Sequence, residues 1–187
     1  MSTYTYPPLT VSALEKGAPD DGNRYEVIEG ELYVSTAPGI PHQSILGNLY
    51  FAFSNYLKVH RVGHAYLGIG IVYDEFNGVI PDLLFVSSER LNRILAVDRL
   101  KASPEIVIEI LSPGSSNEER DRIVKRKLYS SRGVHEYWIV DPGARTIEIN
   151  RKRKEGGLEK AMLLEAGDDL TTPILPEFRV PVAEIFE

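Results

Sequence analysis

Residues 102–134 read ASPEIVIEILSPGSSNEERDRIVKRKLYSSRGV, and this stretch decides the fold. Ile106, Val107, Ile108, Ile110 and Leu111 make a mostly β-branched apolar run of strand length, with Glu109 in its middle. An isolated buried carboxylate costs on the order of several kcal/mol, so Glu109 must be paired, protonated or bound to a metal. The turn Ser112-Pro113-Gly114-Ser115-Ser116 ends the strand, and Ser116 or Asn117 is predicted to cap the helix beyond it. Glu118, Glu119 and Asp121 come early in that helix and Lys125, Arg126, Lys127 and Arg132 late, the order its dipole favours; Gly133 is the stop. Lys125 lies one turn beyond Asp121 and one turn before Tyr129. It borders a stripe of Ile123, Val124 and Leu128 predicted to pack inward. From there its amine either reaches over the sheet toward Glu109 or snorkels to water.

Outward from this unit, composition sets the bounds. A chain of 187 residues suits one domain spanning 1–187 with a good core, preceded by a loose leader over 1–9 that holds Pro7-Pro8. Having no cysteine excludes disulfides, thiolate catalysis and thiolate metal sites. The opening MSTYTYPPLT lacks a basic segment and an apolar segment, and no apolar run reaches membrane-spanning length. The expectation is a cytoplasmic protein without membrane partners. A net charge of −6 argues against a generic nucleic-acid coat. The charge is uneven, however: residues 1–89 hold 4 Lys and Arg against 10 acids, and residues 90–160 hold 16 against 11. The second region is compatible with a phosphate-bearing ligand, although solvated helix and hairpin faces give the same pattern.

Thr10 is predicted to cap a short helix ending near Gly17. RYEVIEGELYVS, residues 24–35, reads as two strand segments about Glu29-Gly30, either a tight hairpin or one bulged strand. Alternation makes Glu26, Glu29 and Glu31 outward-facing. His42 opens a long amphipathic helix carrying Ile45, Leu46, Leu49, Phe53, Tyr56 and Leu57, and a polar residue in a first turn ordinarily faces solvent. Residues 63–86 carry three strand pieces, with the turn at 75–78 attributed to Asn77-Gly78. In the last piece Pro81 marks an edge, bulge or strand start, and Asp82 shares a face with Leu84 and Val86. Taken alone, Asp82 reads as a turn residue. Residues 87–102 suggest a surface helix or loop, 135–140 a strong strand, and the remainder a meander.

Asp82 and Glu109, on neighbouring strands, can meet at one divalent ion. Carboxylate oxygens suit Mg²⁺ or Mn²⁺, and a lysine beside the ion orients water or offsets charge in the transition state. Without metal, the two acids repel and the pair titrates higher than usual.

These residues resemble the PD-(D/E)XK nuclease pattern, with Pro81-Asp82 as its first acid and Glu109 as its second; Leu111 stands where the lysine usually follows. A longer similarity, over residues 25–151, is to the Uma2 (domain of unknown function 820) family of restriction-endonuclease-like proteins. It includes YEVIEGEL, the segment from Pro38 to His42, IPDLLFV, PEIVIEILSPGSS, the helix with Asp121, Lys125 and Tyr129, and GVHEYWIVDP. In that family the lysine has moved to the following helix, where Lys125 matches and Lys127, two positions on, faces elsewhere.

The resemblance implies an α/β (α+β) restriction-endonuclease-like core, a mixed central sheet flanked by helices. It implies Mg²⁺- or Mn²⁺-dependent hydrolysis of DNA, with Asp82 and Glu109 as metal ligands, Lys125 as the third catalytic group, and Glu31 and His42 flanking the site. A homodimer is compatible with cutting both strands, because two sites do so more readily than one. The alternative is a catalytically silent nuclease-fold module for binding or interaction, which the acidic balance and Leu111 favour. A glycosidase acid pair ranks third, since no aromatic-lined cleft accompanies the acids.

Overall fold

The computed structural model describes residues 7–187. Helix α1 (Val11–Gly17) precedes the hairpin β1 (Arg24–Ile28) and β2 (Glu31–Ser35), then the long helix α2 (Ile40–His60). Strands β3 (Gly63–Leu67), β4 (Ile71–Asp74), β5 (Asn77–Val79) and β6 (Leu83–Ser87) follow. Helix α3 (Ser88–Ile94) and the two-residue strands β7 (Leu95–Ala96) and β8 (Arg99–Leu100) come next. Strand β9 (Ile106–Ile110) leads into a continuous helical rod of three parts: α4 (Ser115–Glu119), a π-helical segment (Arg120–Lys125) and α5 (Arg126–Ser131). Strands β10 (Glu136–Asp141), β11 (Thr146–Lys152), β12 (Leu158–Leu164), β13 (Asp169–Thr172) and β14 (Leu175–Pro181) and helix α6 (Val182–Ile185) end the order.

The central sheet runs β12-β11-β10-β9-β6-β3. Within this sheet, among the described residues, only β9 and β10 pair in parallel, and the rod between them is the crossover that parallel neighbours need. Every residue of β9 is buried, because layers cover both faces. On one face Leu83, Phe85, Ile108, Ile110 and Trp138 pack against Ile45, Leu49 and Phe53 of α2. On the other, Leu84, Val86, Val107, Tyr137 and Ile139 pack with Leu128 and Tyr129 of α5 and with Ile28, Ile71 and Val79. Each such side chain contributes about 1.5–3 kcal/mol over remaining exposed.

The mixed sheet flanked by helices is therefore present, and it carries a layer that sequence reading did not anticipate. Ile28, Ile71 and Val79 belong to a second sheet, β2-β1-β5-β4-β8-β7. Pro81 is the cause: it splits GVIPDLLFV so that β5 pairs with β1 and β4, while β6 pairs with β3 and β9.

One open alternative is settled, and the turn and cap expectations are corrected. Residues 24–35 form a tight hairpin, whose turn residues Glu29 and Gly30 hold φ of 52° and 79°. The turn after β4 is Glu75-Phe76, and Asn77 already belongs to β5. Gly114 precedes α4 with no side-chain cap, and Asn117 donates instead to the Pro113 carbonyl. Of the leader expected over 1–9, residues 1–6 lie outside the described residues, and the Leu9 N–H donates to the Gly30 carbonyl. Thr10 caps α1 as its sequence suggests.

Candidate active site

Strand pairing sets the two acids face to face. In the antiparallel β6–β9 ladder Leu83 lies opposite Ile108, and one further step of that register brings Asp82 opposite Glu109. Both project to the face of Leu84 and Val107, beneath the second sheet and the rod. Asp82 Oδ1 accepts from Arg24 Nη1 at 2.9 Å, and Oδ2 meets His42 Nε2 at 3.1 Å and accepts from the Ile110 N–H at 2.9 Å. Glu109 Oε1 accepts from Lys125 Nζ and from the Tyr129 hydroxyl, both at 2.9 Å. Its Oε2 accepts no hydrogen bond among the described residues.

Lys125 reaches Glu109 from the end of the π segment. Asp121, Lys125 and Tyr129, four apart, share the buried inner face of the rod as neighbours on successive turns do. The same geometry corrects the predicted stripe, since Ile123 turns outward and is 61% exposed. Lys125 is 1% exposed, with Nζ at 2.9 Å from Glu109 Oε1, 2.9 Å from Glu26 Oε2 and 3.9 Å from Asp121 Oδ1. The amine does not snorkel. Lys127 does face elsewhere, pairing with Glu29 at the surface.

Sequence reasoning placed Glu26 outside; the structure buries it. Its Oε1 accepts from the Ile80 N–H at 2.7 Å, while among the described residues Oε2 has only the Lys125 ion contact and no aligned hydrogen bond. Alternation fails here because β1 is covered on both sides. The one signal in the sequence is Arg24 and Glu26, opposite charges two residues apart and hence on one face. Arg120 and Asp121 form a second buried pair, a two-pronged contact at 2.8 and 3.0 Å, and Arg120 also reaches Ser35 Oγ. Glu31 is a correction in the other sense. It lies at the turn end of the hairpin opposite Ile28, is exposed, accepts from the Tyr33 hydroxyl, and does not line the site. His42 is buried rather than solvated, and its Nδ1 has no hydrogen-bond partner among the described residues.

Arg24, Glu26, His42, Asp82, Glu109 and Lys125 all line one cavity of about 380 Å³. A larger groove, about 750 Å³, lies along α2 and β14 and holds none of these acids, so its size says nothing about chemistry. Four carboxylates in the cluster (Glu26, Asp82, Glu109, Asp121) face three permanent cations, Arg24, Arg120 and Lys125. That imbalance sets the direction in which each group is shifted. Burial pushes Glu109 up to about 8; Lys125 opposes this, while Asp82, Asp121 and Glu26 add to it. For Asp82, burial is outweighed by the hydrogen bond and charge of His42, by Arg24 and by the Ile110 N–H, and its carboxyl is held well below the usual range. Burial also works against a charged Lys125, but Glu109, Glu26 and Asp121 prevail and hold its proton firmly.

The donors fit a hard divalent cation in chemistry. They are carboxylate oxygens with surplus negative charge beside a cavity, and Glu109 Oε2 is free of protein donors. Among the described residues, no three His, Cys, Asp or Glu side chains gather as a ready ligand set, so any ion held by Asp82 and Glu109 would keep several waters.

A family model named Uma2, described as "Putative restriction endonuclease", matches residues 11–183. A search of curated proteins finds no match. Among solved structures, one described as a "putative nuclease belonging to DUF820" from Anabaena variabilis ATCC 29413 superposes with a TM-score of 0.73. The match covers 96% of this chain and 98% of that one at 19% identity, a likeness of fold alone. Among the described residues no helix is long and apolar enough to cross a membrane.

Proposed function

Because the chain belongs to the Uma2 family, we propose that it is a metal-dependent endonuclease hydrolysing DNA phosphodiester bonds at the Asp82, Glu109 and Lys125 cluster. The observation that carries this reading is the Lys125 ammonium, buried against Glu109 in the cavity that Asp82 also lines. A buried lysine is costly unless its charge has work or partners, and here it stands beside two acids of the type that hold Mg²⁺ or Mn²⁺.

Asp82 and Glu109 would hold the metal. When bound, Mg²⁺ or Mn²⁺ supplies charge that polarises the phosphodiester and acidifies water. Asp82 is ionised and fixed in orientation by Arg24, His42 and the Ile110 N–H before any ligand arrives. Glu109 is held by Tyr129 and Lys125 through one oxygen, leaving the other toward the cavity. Lys125, permanently protonated and shielded from water, offsets negative charge as it builds on the phosphoryl oxygens, where a fixed cation acts more strongly than in bulk solvent. Arg24, about one-third exposed at the cavity, adds charge for the incoming backbone. A homodimer would present two such sites to a duplex.

Nicking of supercoiled plasmid in Mg²⁺ or Mn²⁺ tests the proposal. Asp82→Ala is expected to lower the rate at least about a thousand-fold, as loss of one member of a catalytic unit does. Equal residual cleavage by wild type and variant would sink it.

A second reading, a silent binding module, draws on one feature: Asp82 and Glu109 each already contact a cationic side chain of the protein. Titration calorimetry separates the two readings. A nuclease takes up Mn²⁺ in a manner that Glu109→Ala abolishes; a silent module does not.

A further inference from the structure

We infer that Glu26 is a positioning residue of this site, one carboxylate oxygen setting the bend that carries Asp82 and the other holding the Lys125 ammonium toward Glu109. This inference rests on the nuclease reading above.

Three observations support it. Glu26 lies on β1, in the second sheet, yet neither of its oxygens serves that sheet. Oε1 accepts from the N–H of Ile80, immediately before Pro81-Asp82, at 2.7 Å. Proline has no N–H, so between Val79 and Asp82 the Ile80 N–H is the donor through which a neighbour can grip the chain as it leaves one sheet for the other. Arg24, two residues earlier on the same face of β1, takes the Ile80 carbonyl at 3.1 Å and Asp82 Oδ1 at 2.9 Å with one nitrogen. Both polar groups of a single peptide-bearing residue are thus claimed by one strand, and the crossing point is fixed from two sides.

The other oxygen points to Lys125. Oε2 is buried, has no aligned donor among the described residues and lies 2.9 Å from Nζ, opposite Glu109 Oε1 at 2.9 Å. A carboxylate on each side confines an ammonium on a four-carbon stem that otherwise has many rotamers. Glu26 touches neither Asp82 nor Glu109 by hydrogen bond, so it acts through Ile80 and Lys125. A carboxylate retained only for the stability of β1 would have no reason to aim its second oxygen at an amine from the rod.

Glu26→Gln is the sharpest test, since the amide oxygen still accepts from Ile80 while the charge facing Lys125 is lost. With wild-type protein active on plasmid, the variant is expected to keep its KM for DNA and its Mn²⁺ uptake and to lose about 10- to 100-fold in kcat, the usual cost of removing a supporting partner. The second readout needs no activity. In ¹H–¹⁵N spectra of the lysine ammonium groups, the Lys125 signal, protected in wild type, is expected to broaden or vanish in Glu26→Gln. Should that variant fail to fold, Glu26→Asp keeps the charge but is too short to reach both partners; it is expected to retain the ammonium signal partly and lose kcat. An unchanged Lys125 signal together with unchanged kcat overturns the inference. A wild type inert in both metals overturns the nuclease reading instead, and the ammonium spectrum still decides whether Glu26 holds Lys125.

Discussion

The two faces of the central sheet are built from the same strands and are buried alike, but they are filled differently. On the α2 face Phe53 packs among Phe85, Trp138 and Phe178, with ring centroids 4.9–6.3 Å apart, in a mainly apolar layer that also takes in the buried Glu136, which accepts from the Trp138 indole N–H and pairs with Arg151. On the opposite face the same alternation of β6 and β9 delivers Asp82 and Glu109 into a cluster with Glu26, Asp121, Lys125 and Arg120. Ion pairs of this kind commonly stabilise no more than well-packed hydrophobic residues would. One face thus supplies cohesion, and the other holds charge in a fixed arrangement.

Paired variants give the largest effects and break the comparison most directly. Phe53→Ala is expected to cost about 3–5 kcal/mol and Lys125→Met about 3–5 kcal/mol, both read from urea unfolding. The two should part company with pH. The Phe53→Ala cost stays level, whereas the Lys125→Met cost shrinks on acidification as the stranded carboxylates take up protons. Folded Phe53→Ala should still cleave plasmid, and Lys125→Met should not. Parallel pH behaviour would mean that the two faces are not energetically distinct.

Metal sharpens the contrast at a smaller magnitude. At a free Mn²⁺ concentration of a hundred times Kd, binding adds about 2.7 kcal/mol, or about 5–10 °C in Tm at about 2–4 °C per kcal/mol for a protein of this size. The shift should survive Phe53→Ala and disappear in Glu109→Ala. A Tm unmoved by millimolar metal counts against the site.

The smallest effect separates the two acids. The Glu109 carboxyl is raised from its ordinary 4.5 to about 8, so the unfolded chain gives up that proton first. Stability from this group is complete below pH 4.5 and is lost as pH rises toward 8. Asp82 has the opposite sign: its lowered value stabilises the fold above its ordinary 3.8, and that benefit fades on acidification. In EDTA, Glu109→Gln should therefore flatten the decline in stability between about pH 5 and 8. A wild type that gains stability across that range contradicts the assignment.

Much of the site was legible because strands and helices write their periods into the chain. Glu109 stood out as a charge in an aliphatic run, Asp82 as an acid on a core face after proline, and Lys125 as a cation bordering an apolar stripe. Glu26 was not legible, because period-two alternation locates a residue on a face without saying whether that face meets water or another sheet. Glu31, in the same hairpin, was drawn into the site by family resemblance, but the turn at Glu29-Gly30 leaves it at the far end of the strand pair. Ile123 was misplaced because it stands two residues from Lys125, about 200° round a helix of 3.6 residues per turn, and so on the side away from Asp121, Lys125 and Tyr129.

From local sequence alone came the strands, the long amphipathic helix, the turn at Gly114, the helix stop at Gly133 and the two acids with their amine. Only the folded structure decided that a second sheet lies over those acids, that β1 contributes Arg24 and Glu26, and that Lys125 turns inward. The physical reason is range: backbone preference and side-chain periodicity act over a few residues, while burial and charge pairing depend on what arrives from elsewhere in the chain. Glu26 and Lys125 are 99 positions apart in sequence and 2.9 Å apart in space.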